Sequence, residues 1–401
     1  MQDRTPVASC TCPSGMATGV RAASLFPLVR GGGAPVIFRG STFARLSLFA
    51  LTVAVLAGCG HRSDVMVPVS VSEPQAERVD MLVATTRQPS DKPALRYNGE
   101  RGEDVRLDNI VVSIPPAKAR QIGQVQWPDR GKPDPRRSFV TAKADLLKDG
   151  HIMPWFRKAS HGKKRVLVFV HGFNNDYAES VYRFAQLVHD ARIDAAPVLF
   201  TWPSRGNVLD YVYDRESTIY SRFGLGAVLK AAVDSPDVAD VTILAHSMGT
   251  GLAMETLRDM ANKYGKVPTK IHSVFLASPD IDVDVFQRQV LEMGDKRPQI
   301  TILSSQNDLA LRVSTWVAGD VQRLGATDFR PYEKLLKQYG ITVIDASSVS
   351  QQDVLGHSAF AENADILRAL GNTFLAKPEP GRGGLLPVGM LNNIAVAKVS
   401  Q

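Results

Sequence analysis

Cysteine is scarce in this chain: three residues among 401, at positions 10, 12 and 59. No cysteine follows Cys59, so a fold built beyond it has no disulfide staple and no thiolate metal centre. An HExxH motif and a cysteine–histidine cluster are also missing, and a resident metal is not expected. One stretch, "DIDVD" at 280–284, spaces carboxylates like the start of a calcium loop. Val285 and Leu291 then stand where such a loop needs glycine and glutamate. Internal repeats are absent. So is any basic block interleaved with aromatics, which argues against a nucleic-acid partner. The net charge of +7 is uneven: residues 1–58 hold five arginines and one acid, and the rest holds 42 basic against 39 acidic residues. With 44% apolar and 22% charged residues, the composition is that of a globular protein with a large core.

The apolar run from Leu46 to Ala57 is short of the ~20 residues that a membrane-spanning helix needs. It follows Arg39 and Arg45 and ends in small residues before Cys59, the order of a secretory signal. Leu56-Ala57-Gly58-Cys59 resembles the lipobox of bacterial lipoproteins, which implies a lipid on Cys59 and membrane attachment through that anchor. An ordinary signal peptide or a buried helix is the competing reading. The 38 residues ahead of Arg39 are long for a leader and are consistent with a start placed too far upstream. Gly60 in place of aspartate resembles the outer-membrane sorting pattern of a Gram-negative host. The expected divisions are a leader at 1–58, a tether at 59–78, a folded domain at 79–376 and a flexible tail at 377–401. Within the domain, strands dominate 79–160 and a catalytic core fills 163–376.

Beyond residue 79 the fold class is expected to be α/β. "VDMLVATTR" (79–87) and "DNIVVSIPP" (108–116) read as strands of a β-rich N-terminal extension. From 165 onward, short apolar runs of strand length recur at 165–173, 197–203, 241–247, 273–279, 300–305 and 341–347. Helical segments at 177–190, 213–233 and 249–263 lie between them. Strands apolar on both faces that alternate with helices predict a mostly parallel central sheet flanked by helices. Ligands of such sheets bind at the carboxyl ends of the strands. His171, Ser247, Asp280 and Asp308 all fall there.

"VTILAHSMGTG" (241–251) runs from strand to bend to helix with Ser247 at the bend, as in a nucleophile elbow. Ala245 stands where the G-x-S-x-G motif has its first glycine. The turn demands small residues, and Gly249 with Ala245 meets that demand. A serine that merely caps the helix is the alternative. A nucleophilic serine needs a base, and the base needs a carboxylate. Of the two downstream histidines, His272 precedes its strand, at the wrong end of the sheet, and His357 in "VLGHSAF" follows the last strand. For the acid, Asp308 ranks ahead of Asp280, and Asp345 lies within a strand. An oxyanion site needs two backbone N–H groups. Met248 supplies one, and Phe173 in "FVHGFNN" the other, with His171 bracing the loop. Residues 205–224 are a candidate overhang on the site.

The run from about Val79 to Phe374 resembles the bacterial α/β-hydrolases of unknown function classed with the esterase/lipase superfamily. "VATTR", "VFVHGFNN", "FTWPS", "LAHSMGT", "ASPDIDVDVF", "SSQNDLAL" and "GHSAF" carry the likeness. It implies the α/β-hydrolase fold and Ser247, Asp308 and His357 as the triad, and it implies no substrate. The expected function is a serine hydrolase of carboxylic esters, acting on a small-molecule or lipid acyl ester with no cofactor. A thioesterase, lipase or amidase with the same triad is the alternative, as is an envelope lipoprotein that uses the fold only to bind.

Overall fold

The computed structural model describes residues 65–129, 132–148, 151–160, 165–349, 357–375 and 384–387. Ten strands among them form one sheet in the order β10-β9-β8-β7-β6-β4-β5-β1-β2-β3. They are β1 (Glu77–Pro89), β2 (Tyr97–Ile114), β3 (Val140–Leu147), β4 (Arg165–Val170), β5 (Ala196–Thr201), β6 (Asp240–His246), β7 (Ile271–Ala277), β8 (Gln299–Ser304), β9 (Ile341–Asp345) and β10 (Gly384–Pro387). β1, β2 and β3 pair antiparallel, and every other pairing is parallel.

The apolar runs take this form because each parallel strand is covered twice. Val166, Val168 and Val170 of β4 and Ile243 and Ala245 of β6 share one core with Leu225, Leu252 and Phe286 of the helices Arg222–Asp234, Met248–Tyr264 and Val283–Met293. Leu167, Phe169 and Leu244 point the other way. They join Val181 and Phe184 of helix Tyr177–Asp190 and Leu367 of helix Ala364–Leu375. Phe169 and Phe184 stack at 5.2 Å. Helix Tyr177–Asp190 starts at a capping box, in which Asp176 and Glu179 each accept the other's backbone N–H.

After β4 the chain moves to one side to make β5, then crosses to the other side to make β6. This reversal opens a crevice at the carboxyl ends of β4 and β6, where open α/β sheets bind ligands. The fold thus places Gly172 and Ser247 side by side.

Three expectations are corrected. The tether was expected over 59–78, yet residues 65–69 lie on the domain. Met66 is buried, the Val65 carbonyl accepts from Thr141 and Tyr182, and the Val69 N–H donates to Thr141 O. Met66 and these hydrogen bonds together dock it. Helix 213–233 is two helices, Tyr211–Tyr220 and Arg222–Asp234, broken at Ser221. The break lets Gly224 approach β1 so closely that a Cβ there would lie 2.6 Å from Thr86. In the tail expected at 377–401, residues 384–387 pair with β9 as β10. Cys59, the leader at 1–58 and the rest of the tail lie outside the described residues, as do Cys10 and Cys12.

Candidate functional site

β6 ends at His246 and the next helix begins at Met248, leaving Ser247 alone in the bend with φ 51° and ψ −123°. A non-glycine residue in that region is strained and persists only where its surroundings hold it. They do. The Ser247 N–H donates to Ala277 O at 2.9 Å, and its carbonyl accepts from the N–H groups of Thr250 and Asp280. The side chain is 4% exposed. Close packing explains both glycines: a Cβ on Gly249 would lie 2.2 Å from His171 O, and one on Gly172 would lie 2.9 Å from the Ser247 Cβ. The Ala245 methyl is accommodated, buried in the core among the helices on that face.

His357 reaches over from beyond β9. Its Nε2 is 2.7 Å from Ser247 Oγ, and its Nδ1 is 2.8 Å from Asp308 Oδ2. Asp308 is wholly buried; its other oxygen accepts the Leu311 N–H and caps helix Leu309–Val317. The sequence thus brings its three expected residues into one hydrogen-bonded row. Asp280 is elsewhere: its oxygens take Ser314 Oγ at 2.6 Å, Tyr211 OH at 3.0 Å and the Arg323 guanidinium at 3.1 Å. Asp345 accepts the Ser347 N–H, and His272 sits by Asp240 at the opposite end of the sheet.

Sequence reasoning missed His246. Because β6 alternates faces, His246 points away from Ala245 and lies against Phe360, with ring centroids 4.5 Å apart. Its Nε2–H donates to the His357 carbonyl at 3.2 Å. Burial, then the proximity of His357, holds its pKa well below the ordinary histidine value, so it stays neutral. A histidine at the end of a mostly apolar strand, next to the serine, was the available signal.

Beyond β4, Gly172 leads into Phe173. Among the described residues, neither the Phe173 N–H nor the Met248 N–H has a protein acceptor. The Met248 amide also opens the 17-residue helix Met248–Tyr264, whose N-terminus favours negative charge. Tyr211, within the 205–224 segment, packs edge-on against Phe173 at 5.3 Å. The same segment walls a cleft of about 240 Å³ with Met248, Leu252 and Ile281. No group of three or more metal-binding side chains occurs among the described residues, and Asp282 caps the helix Val283–Met293. None of their helices is long and apolar enough to cross a membrane.

Residues 151–373, more than half of the chain, match the family described as alpha/beta hydrolase of unknown function (DUF900). The chain belongs to this family. Its mostly parallel sheet with helices on both faces is the α/β-hydrolase fold, and the protein is a hydrolase. No curated protein sequence matches the chain. Similar solved structures include carboxyl esterase 2 from Tuber melanosporum, at 10% identity and TM-score 0.35, covering 83% of this chain and 96% of that one. Est1E from Butyrivibrio proteoclasticus is 13% identical at TM-score 0.33, covering 53% and 89%. A Trichoderma reesei cutinase in complex with a phosphonate inhibitor is 12% identical at TM-score 0.28, covering 58% and 94%. In this hydrolase, the polar groups gathered at the carboxyl ends of β4, β6 and β8 form the candidate site.

Proposed function

We propose that this hydrolase cleaves carboxylic esters through an acyl-enzyme on Ser247. The observation that carries the reading is the row Ser247 Oγ, His357, Asp308, joined by contacts of 2.7 and 2.8 Å on a strained bend. His357 Nε2 takes the Ser247 proton as Oγ attacks the acyl carbon. Asp308 holds the Nδ1–H and stabilises the imidazolium that forms. The carbonyl oxygen becomes an oxyanion between the N–H groups of Phe173 and Met248. When the intermediate collapses, His357 returns the proton to the departing alkoxide, which leaves as the alcohol. Water then attacks the acyl-enzyme, with His357 again the base, and releases the carboxylic acid with Ser247 restored.

The test treats the full chain with a fluorophosphonate and then offers it acyl esters of rising chain length beside a thioester and an anilide. Labelling that Ser247→Ala abolishes, with the esters turned over fastest, is expected. A folded wild-type chain that takes no label, or a Ser247→Ala chain that still does, overturns the reading. The leader composition supports placement at the cell envelope through a lipid on Cys59. Metabolic palmitate labelling that Cys59→Ser abolishes is the expected result.

A further inference from the structure

Arg87, on β1, is 1% exposed, and among the described residues no carboxylate touches its guanidinium. Nε donates to Thr201 Oγ1 at 2.9 Å, Nη1 to Ser204 O at 2.7 Å and to Asn98 O at 3.4 Å, and Nη2 to Asn175 O at 2.7 Å. Burial pulls its pKa down to about 10 against the through-space pull of Asp176 and Asp214. A buried charge is costly, and an apolar side chain would fill the space at less expense. The reason for an arginine lies in what its donors hold.

Thr201 Oγ1 lies between Arg87 Nε and His171 Nε2, 3.0 Å away. The Trp202 backbone N–H also donates to that Nε2, at 3.1 Å. A backbone N–H can only donate, so the His171 proton is on Nδ1, and it goes to Gly172 O at 2.8 Å. The Thr201 hydroxyl, with one lone pair engaged by Arg87, turns its hydrogen to the same Nε2. Gly172 C=O and Phe173 N–H belong to one planar peptide unit, so fixing the carbonyl fixes the direction of the N–H. A hydrogen bond accepted by the carbonyl also polarises that N–H as a donor. Burial, and after it the charge of Arg87, lowers the His171 pKa to about 3, so the ring stays neutral and its hydrogen bonds hold the one proton on Nδ1. The far end of the loop hangs on the same arginine. Asn175, whose carbonyl Arg87 holds, donates its side-chain amide to Phe173 O at 2.8 Å.

We propose that Arg87, acting through Thr201, His171 and Asn175, is a positioning residue that aims the Phe173 N–H at the oxyanion. The inference rests on the serine-hydrolase reading and deepens it. Arg87 lies outside the residues matched by the family, so the N-terminal extension completes the site rather than merely widening the sheet.

The experiment uses the full chain, p-nitrophenyl acetate and a trifluoromethyl ketone that forms an oxyanion on a serine. Thr201→Val removes the hydroxyl and keeps the shape. Arg87→Lys keeps the charge, but three N–H groups on one nitrogen cannot reach the four acceptors spread around the guanidinium. Outright loss of an oxyanion donor lowers kcat by ~100- to 1,000-fold, and a misaimed donor is expected to forfeit about tenfold or more of that. The fall should appear in kcat with KM unchanged, should match the loss of ketone affinity, and should be reversed by Thr201→Ser. If Arg87→Lys does not fold, the Thr201 pair decides alone. A folded Thr201→Val enzyme with unchanged kcat and ketone affinity, or one altered only in KM, overturns the proposal. A wild-type chain that neither cleaves esters nor takes a fluorophosphonate label overturns the underlying reading instead, and this inference with it.

Discussion

The elbow around Ser247 makes opposite predictions for its two small neighbours. Ala245→Gly restores the motif glycine. It removes a fully buried methyl, worth about 1 kcal/mol, and adds strand flexibility worth ~0.5–1 kcal/mol. The expected loss of stability is about 1.5–2 kcal/mol, with the fluorophosphonate labelling rate unchanged. Gly249→Ala adds a methyl whose Cβ would lie 2.2 Å from His171 O and 2.9 Å from Val170 O. On an isolated helix alanine is favoured by about 1 kcal/mol. Here the obstacle is backbone, and His171 O is pinned by the Trp202 indole N–H at 2.8 Å. Relief therefore needs the first turn of helix Met248–Tyr264 to move by ~1 Å, a displacement that can cost about 100-fold in rate. The overpacking itself costs ~1–3 kcal/mol and outweighs the helix preference. Urea midpoints and second-order labelling rates read both effects. A Gly249→Ala chain labelled as fast as wild type, or an Ala245→Gly chain that loses labelling, would refute the account of which small residue the bend requires.

Asp308→Asn keeps an acceptor for the Leu311 N–H but presents an amide to His357, so kcat should fall by about three to four orders of magnitude with stability little changed. Asp308→Ala should lose the helix cap as well, about 1 kcal/mol more in denaturant titration. His246→Leu removes the donor to the His357 carbonyl, and about a tenfold fall in kcat at constant KM is expected; an unchanged kcat would show that the loop holds itself. His171 has a folded pKa of about 3 against an ordinary 6.5. Below pH 6.5 the unfolded chain therefore takes up a proton that the folded chain refuses. Stability should drop as pH falls from 6.5 toward 3, by up to about 5 kcal/mol from this group, and His246 acts in the same direction. Urea titrations from pH 7 to 4 that show a flat midpoint would contradict this.

The parallel strands were legible because each is covered on both faces, which leaves a continuous apolar run for the eye to find. β3 escaped notice for the complementary reason. Its "VTAKADLL" lies at the sheet edge, and its polar residues need no cover. The outer half of β2, "YNGERGEDVRL", is polar for the same cause. The docking of residues 65–69 was hidden because it rests on Met66 and on hydrogen bonds to Thr141 and Tyr182, partners far away in the chain. The break at Ser221 was hidden because apolar periodicity runs through it. What the break permits, the approach of Gly224 to Thr86, is a contact across 138 positions of chain.

The candidate site divides along the same line. Ser247 and Asp308 could be picked out because each stands just past an apolar run, and His357 because it is the histidine that follows β9, so the order of elements dictates which ends meet. No local pattern marks Arg87 or Thr201, since their bond joins positions 114 residues apart and exists only once β1 and β5 lie side by side. The residues that perform a proton transfer must expose particular atoms at particular element ends, and sequence records that. A residue that only aims a peptide can reach it from any neighbouring strand. The arginine in "VATTR" therefore reads as an ordinary strand end until its burial and its four oxygen partners are seen. Those partners include carbonyls on both the Asn175 and the Ser204 loops, so the β1 extension fixes the loops that follow β4 and β5 against each other.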